Sequence, residues 1–179
     1  MQLTRFTDIG LRVVMALAAD PDATHTSREL ADDLHLSYTH VAKVVSRLSE
    51  IGVVNSRRGR SGGLAITELG PQAGVGWLAR HLEGDDEVVN CEGERPCPLR
   101  SACRLRGALA AAQDAFYTSL DRLTIQDLIA DPTGAQLLTL LDRLLALLDP
   151  LLLELALGGA GRTELGGDGG DGDRRDRER

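Results

Sequence analysis

Cys91, Cys97 and Cys103 are the chain's three cysteines, and all fall in one stretch, Asn90-Cys91-Glu92-Gly93-Glu94-Arg95-Pro96-Cys97-Pro98-Leu99-Arg100-Ser101-Ala102-Cys103. An odd number argues against a closed disulfide framework. Structural cysteines usually lie inside helices and strands as small hydrophobes. These three sit in a charged, proline-interrupted run, which suits thiolate ligands instead. Soft thiolates favour iron–sulfur clusters, zinc or copper(I). Zinc usually takes a C-x2–4-C knuckle, whereas this even C-x5-C-x5-C spacing suits a larger cluster. An iron–sulfur cluster is the favoured reading, with zinc and a thiol redox switch left open. Three sulfurs leave one position to fill. His81, Asp85, Asp86, Glu87, Glu92 and Glu94 are near in sequence, and a second subunit could also supply the ligand.

A second constellation is cationic. Between Leu34 and Ile66 stand Lys43, Arg47, Arg57, Arg58 and Arg60 against the single anion Glu50, although the whole chain carries a formal charge of −7. Thr39, Lys43 and Arg47 recur every four residues, opposite Val41, Val44, Val45 and Leu48, so they share one face of a helix. Ser37, Tyr38, Thr39 and His40 at its start are placed to meet DNA base edges, with Lys43 and Arg47 on phosphates. Arg57, Arg58 and Arg60, in a glycine-rich turn, would reach phosphates or a minor groove. The acidic remainder does not oppose this, because affinity follows local phosphate contacts.

The elements that must hold these residues are also legible. Phe6, Ile9, Val13, Val14 and Leu17 line one face of a first helix. Thr26-Ser27-Arg28-Glu29 is a capping box opening a second helix, with Leu30, Ala31 and Leu34 inward. Ser37 is placed to cap the third, and Gly52 ends it. Only Leu34-His35-Leu36 separates the second from the third, a helix-turn-helix spacing. Val53–Arg57 and Leu64–Thr67 read as strands joined by Arg58-Gly59-Arg60-Ser61-Gly62-Gly63. The predicted fold is mainly α: a winged helix-turn-helix with a two-stranded wing and a long C-terminal dimerisation helix.

The predicted organisation has five parts. Residues 1–83 form the DNA-binding domain, with a short helix around Trp77, Leu78 and Leu82, and 84–104 the cysteine-rich loop. Residues 105–130 hold the dimerisation helix and a last turn capped by Thr124. The helix carries a stripe of Leu105, Leu109, Ala112, Phe116, Leu120 and Leu123, which needs a partner. Residues 131–157 are a leucine-rich extension. Asp142, Arg143, Asp149, Pro150 and Glu154 make it a poor membrane span and a better amphipathic helix packed on the dimer. Residues 158–179, glycine and alternating charge, are expected to be disordered. The N-terminus has no signal-peptide pattern, so a soluble, cytoplasmic protein without a membrane segment is expected. No nucleotide loop or nucleophile–base pair is visible, so it is not expected to be an enzyme.

Taken together, these motifs resemble the bacterial winged-helix iron–sulfur transcriptional regulators, and among them the nitric-oxide-sensing repressors. The likeness runs from Met1 to about Ile129. It rests on Met1-Gln2-Leu3-Thr4-Arg5-Phe6-Thr7-Asp8-Ile9-Gly10-Leu11-Arg12, His40-Val41-Ala42-Lys43-Val44-Val45, the wing turn, the cysteine loop, and Leu123-Thr124-Ile125-Gln126-Asp127-Leu128. The resemblance implies a homodimer on a palindromic operator in double-stranded DNA. It also implies one cluster per subunit, [4Fe–4S] with [2Fe–2S] as the alternative, bound by Cys91, Cys97 and Cys103. Asp8 matches an aspartate that can supply the fourth ligand from the other subunit. By itself Asp8 would be an anion favouring the first turn of its helix. The implied function is repression relieved by nitric oxide, with detoxification genes as targets. An iron-, cluster-status-, zinc- or thiol-sensing regulator of the same fold is the alternative. A related regulator of cluster assembly has a histidine three residues after its third cysteine, where this chain has Arg106.

Overall fold

The computed structural model describes residues 2–56, 62–84 and 88–141. Arg57, Arg58 and Arg60, the acids Asp85, Asp86 and Glu87, the leucine-rich segment from 142 onward and the tail over 158–179 lie outside the described residues. The elements are α1 (Arg5–Ala19), α2 (Ser27–Asp33), α3 (Tyr38–Glu50), β1 (Val54–Ser56), β2 (Leu64–Ile66), α4 (Leu69–Gln72), α5 (Val75–Glu83), α6 (Arg104–Leu120), α7 (Ile125–Leu128) and α8 (Thr133–Leu141).

Helix α1 is the centre of the fold. Ile9, Val13, Val14 and Leu17 are fully buried, and α3, α5, α7 and α8 all pack against the helix. Its valines and Gly10 are indifferent helix formers, so burial, about 1.5–3 kcal/mol per fully buried aliphatic side chain, holds it. The Thr4 hydroxyl starts it by accepting from the Thr7 amide. Helix α2 opens on the expected capping box: Thr26 Oγ1 accepts from the Glu29 amide at 3.1 Å, and the Glu29 carboxylate accepts from the Thr26 amide at 2.6 Å. His35, at φ +53, turns the chain from α2 into α3 in a left-handed conformation that few side chains other than Asn, Asp and His adopt. Val41, Val44, Val45 and Leu48 of α3 complete the helix-turn-helix core.

The wing is antiparallel, with Val54 facing Ile66 and Ser56 facing Leu64. It has a further rung, on the other side of Leu64, absent from the sequence reading. His25 exchanges two backbone hydrogen bonds with Leu64, at 3.1 and 2.7 Å. That rung fixes the root of the wing against the chain entering α2.

Helices α5 and α6 meet closely. A methyl group at Gly76 would overlap the Tyr117 carbonyl oxygen, so only glycine lets the helices approach this far. Tyr117 is the one buried side chain of α6; Arg80 lies over its ring at 4.6 Å and pairs with Asp114 at 3.0 Å. Across the crossing, the Asp121 carboxylate accepts from the Trp77 amide at 2.5 Å and caps α5, whose own Gly74 has no side chain for that work. The expected stripe on α6 is only partly covered. Leu109, Phe116 and Leu120 are half-buried, while Leu105, Ala112 and Leu123 face outward, Leu105 at 64% exposure.

Helix α7 carries its own capping box, Thr124 with Asp127. The start of the leucine-rich extension is described as far as Leu141. Over Thr133–Leu141 it forms α8, which packs on α1 and α2 of its own chain and buries Leu137. The reason is physical: α1 and α2 leave apolar surface there that the extension's leucines cover. Among the described residues no helix is long and apolar enough to cross a membrane.

Candidate functional site

The third helix separates cleanly into two faces. Its valine and leucine face is buried, and Tyr38, Thr39, His40 and Lys43 are exposed on the other. Ser37 stands at the N-cap position with extended backbone, but its hydroxyl makes no capping bond. The His40 amide, which that hydroxyl would serve, is already bonded to the Ser37 carbonyl at 3.0 Å. The hydroxyl therefore remains available at the start of the helix. Sequence reasoning missed Arg28. Its guanidinium lies 4.6 Å from the centre of the Tyr38 ring, a cation–π contact that orients the ring and adds a cation beside the exposed face. Its place on the polar side of α2, ten residues before Tyr38, gave no local signal of that contact.

Arg47 departs from expectation. Its spacing groups it with Thr39 and Lys43, yet its guanidinium turns away from them. Nε and Nη2 donate to the His81 carbonyl at 3.3 and 3.2 Å, and Nη1 meets Glu50 at 3.1 Å. The acceptor belongs to the last turn of α5, where helix carbonyls lack intrahelical partners and the dipole favours a cation. That local demand outweighs the reach toward solvent.

The cysteine segment leaves α5 at Gly84 and folds into successive turns. The Cys97 amide donates to the Cys91 carbonyl, the Arg100 amide to the Cys97 carbonyl, and the Ala102 amide to the Leu99 carbonyl, each at 3.1 Å. Cys91 is buried, Cys97 and Cys103 are half-buried, and none of the three is in a disulfide. Cys103 stands at the N-cap of α6 with no side-chain capping bond. Glu92 clips the segment to α6 through Arg106 at 3.2 Å, and lies 3.8 Å from Arg100 within the segment. Exposed pairs of this kind contribute about 0–1 kcal/mol each, so the clip is weak.

The candidate oxygen and nitrogen ligands are differently placed. Asp8 Oδ1 accepts from Arg12 Nε at 3.0 Å and pairs with its Nη2 at 2.9 Å, along the exposed side of α1. His81 stacks on Trp77 at 4.2 Å, and its Nδ1 donates to the Trp77 carbonyl at 2.8 Å. Among the described residues, no three of His, Cys, Asp and Glu converge to hold a metal ion. The donor set nonetheless fits an iron–sulfur cluster in kind: three cysteines outside any disulfide on one short segment, lacking one ligand.

A helix-turn-helix with a two-stranded wing and an outward-facing Tyr38, Thr39, His40 and Lys43 defines a winged-helix DNA-binding regulator. Residues 3–131 match the family model described as Rrf2, iron-dependent transcriptional regulator. The chain belongs to the Rrf2 family, as the motif resemblance implied. It is 57% identical over 145 residues to the HTH-type transcriptional repressor NsrR of Streptomyces coelicolor, an alignment covering 80% of this chain and 98% of that protein. Among solved structures it is similar to the global cysteine regulator CymR of B. subtilis, with 25% identity, TM-score 0.53, and 72% of this chain and 95% of that one covered. It is also similar to IscR of T. potens, with 20% identity, TM-score 0.58, and 76% and 91% covered; at that identity the likeness speaks to the fold. The protein is a DNA-binding transcriptional repressor of this family and not an enzyme.

Proposed function

We propose that this repressor is controlled by a nitric-oxide-sensitive iron–sulfur cluster and acts in the cytoplasm as a homodimer on a palindromic operator. Cys91, Cys97 and Cys103 would hold the cluster, with Asp8 of the second subunit as the fourth ligand. The observation carrying this reading is the set of three cysteines, none in a disulfide, on one segment between the winged helix and α6. When bound, the cluster supplies iron that nitric oxide attacks with loss of protein ligands, [4Fe–4S] being the nuclearity favoured.

The chain's own residues then do the rest. As an oxygen ligand Asp8 would be the most readily released, and Arg12 on the next turn, which pairs with it at 2.9 Å here, would hold the freed carboxylate. The cross-subunit tether between α1 and the cysteine segment would thereby be undone. The exposed Leu105 and Ala112 on α6, with Leu123 just beyond its end, support pairing of two subunits, which would set the separation of the two copies of α3. Those helices must reach major grooves about 34–36 Å apart. In each copy Ser37, Tyr38, Thr39 and His40 would read bases, Lys43 would hold a phosphate, and Arg57, Arg58 and Arg60 would serve the wing. In this reading 1–83 would bind DNA, 84–104 would sense and 105–130 would dimerise, with 131–157 and 158–179 appended.

The test is anaerobic purification, a visible spectrum with iron and sulfide content, and titration with nitric oxide while DNA binding is followed. About four irons per subunit, bleached in step with loss of binding, is the expected result. A zinc-containing or metal-free protein that binds DNA equally well with and without nitric oxide would refute it, and would move the signal to zinc or thiol chemistry.

A further inference from the structure

The last turn of α5 is a junction. Arg47 of α3 donates twice to the His81 carbonyl. Two residues on, Glu83 Oε1 accepts from both the Thr4 amide, at 2.7 Å, and the Thr4 hydroxyl, at 3.0 Å. Thr4 is the N-cap of the helix that carries Asp8. Immediately afterwards Gly84, at φ +86, closes α5 and begins the cysteine segment. One helical turn therefore grips the recognition helix with one residue and the Asp8-bearing helix with another, and continues directly into the segment holding the thiols.

From this juxtaposition we propose that Arg47 is a positioning residue, which couples the state of the cysteine segment to the pose of the recognition helix instead of contacting a DNA phosphate. The proposal rests on the cluster-controlled reading above. Movement at Gly84 displaces the His81 carbonyl, and the guanidinium transmits that displacement to the third turn of α3. Glu50 strengthens the transmission by fixing the guanidinium's other end, so that it cannot swing out to solvent without breaking its contacts to both groups. A guanidinium suits this task because its planar fork serves two acceptors at once, which an ammonium does poorly.

Arg47→Gln tests it, using full-length protein with and without reconstituted iron and sulfide. The probe is a fluorescent duplex selected from a random pool by the wild-type protein. For wild type, the ratio of affinities with and without the cluster is expected to be on the order of 5–150-fold, the usual span of allosteric coupling. In Arg47→Gln that ratio falls to within about threefold of unity, and the slope of log affinity against log salt stays at the wild-type value. A lost phosphate contact would instead lower that slope by about 0.9 and leave the ratio intact, with Arg47→Lys restoring the slope; that result overturns the proposal. Hydrogen exchange on the wild type covers the case of a variant that does not fold. Cluster loss is expected to alter protection over 81–84 and 38–50 together, and a change in the first without the second overturns the coupling. A wild type with equal affinity in both states overturns the cluster-controlled reading along with the proposal. An intact ratio in Arg47→Gln overturns the role of Arg47 alone.

Discussion

Gly76→Ala should unfold this domain more readily than any exposed glycine change, because of what lies opposite. The added methyl would overlap the Tyr117 carbonyl oxygen and sit 2.8 Å from the Asp121 carboxylate. A backbone oxygen in a packed helix cannot rotate away, so α5 and α6 must part. Overpacking of this kind costs about 1–3 kcal/mol. Parting also breaks the 2.5 Å bond from the Trp77 amide to Asp121, a hydrogen bond to a charged group that contributes about 1.5–3 kcal/mol. The combined loss is on the order of 3–5 kcal/mol, a large share of the roughly 5–15 kcal/mol that holds a typical domain. Urea unfolding of the metal-free protein, followed by circular dichroism, measures it directly. Gly107→Ala is the control: it lies in α6 with nothing within 4 Å of its added methyl. Relief of glycine's helix penalty should stabilise that variant by about 0.5–1 kcal/mol. A loss below about 1 kcal/mol for Gly76→Ala, or equal losses in the two variants, would refute the close-approach reasoning.

Three further outcomes are expected. Cys97→Ala should fold normally but retain only background iron, whereas Asp8→Ala should keep its iron and change its response to nitric oxide; metal analysis and a nitric oxide titration separate the two, and iron retained by Cys97→Ala removes that ligand assignment. Lys43→Gln should weaken DNA binding and lower the salt slope by about 0.9, one phosphate contact's worth, so an unchanged slope places Lys43 away from the backbone. Asp127's carboxyl is held below its ordinary 3.8 by the Thr124 amide and then by the Thr124 hydroxyl. Its contribution to stability is present above that ordinary value and is lost as pH falls through the lowered one. Asp127→Asn should therefore melt below wild type at neutral pH, with the gap narrowing under strong acid; a gap independent of pH contradicts the capping role.

Patterns that repeat within one helical turn were readable directly from the residues. The inward faces of α1, α2 and α3, the Thr26–Glu29 box and the cap at Thr124 depend on neighbours three or four positions apart, and the helical period alone brings those together. The two wing strands, the helix-turn-helix spacing and the even separation of the three cysteines were legible because each is also written within a short local run of residues. Tertiary structure decided what depends on partners distant in sequence. Arg47 has the spacing of a DNA contact, yet the unsatisfied carbonyl of His81, thirty-four residues away, claims it. The Ser37 hydroxyl stays free because a backbone carbonyl reaches the His40 amide first. His25 joins the wing, and α8 covers α1 and α2 of its own chain, because adjacent open edges and apolar surface exist only once the chain has folded. Gly76 is read as a permissive glycine in isolation; the Tyr117 carbonyl makes it a requirement. Local periodicity fixes which way a side chain faces, but its hydrogen-bonding partner is set by which unsatisfied group the packing brings within reach.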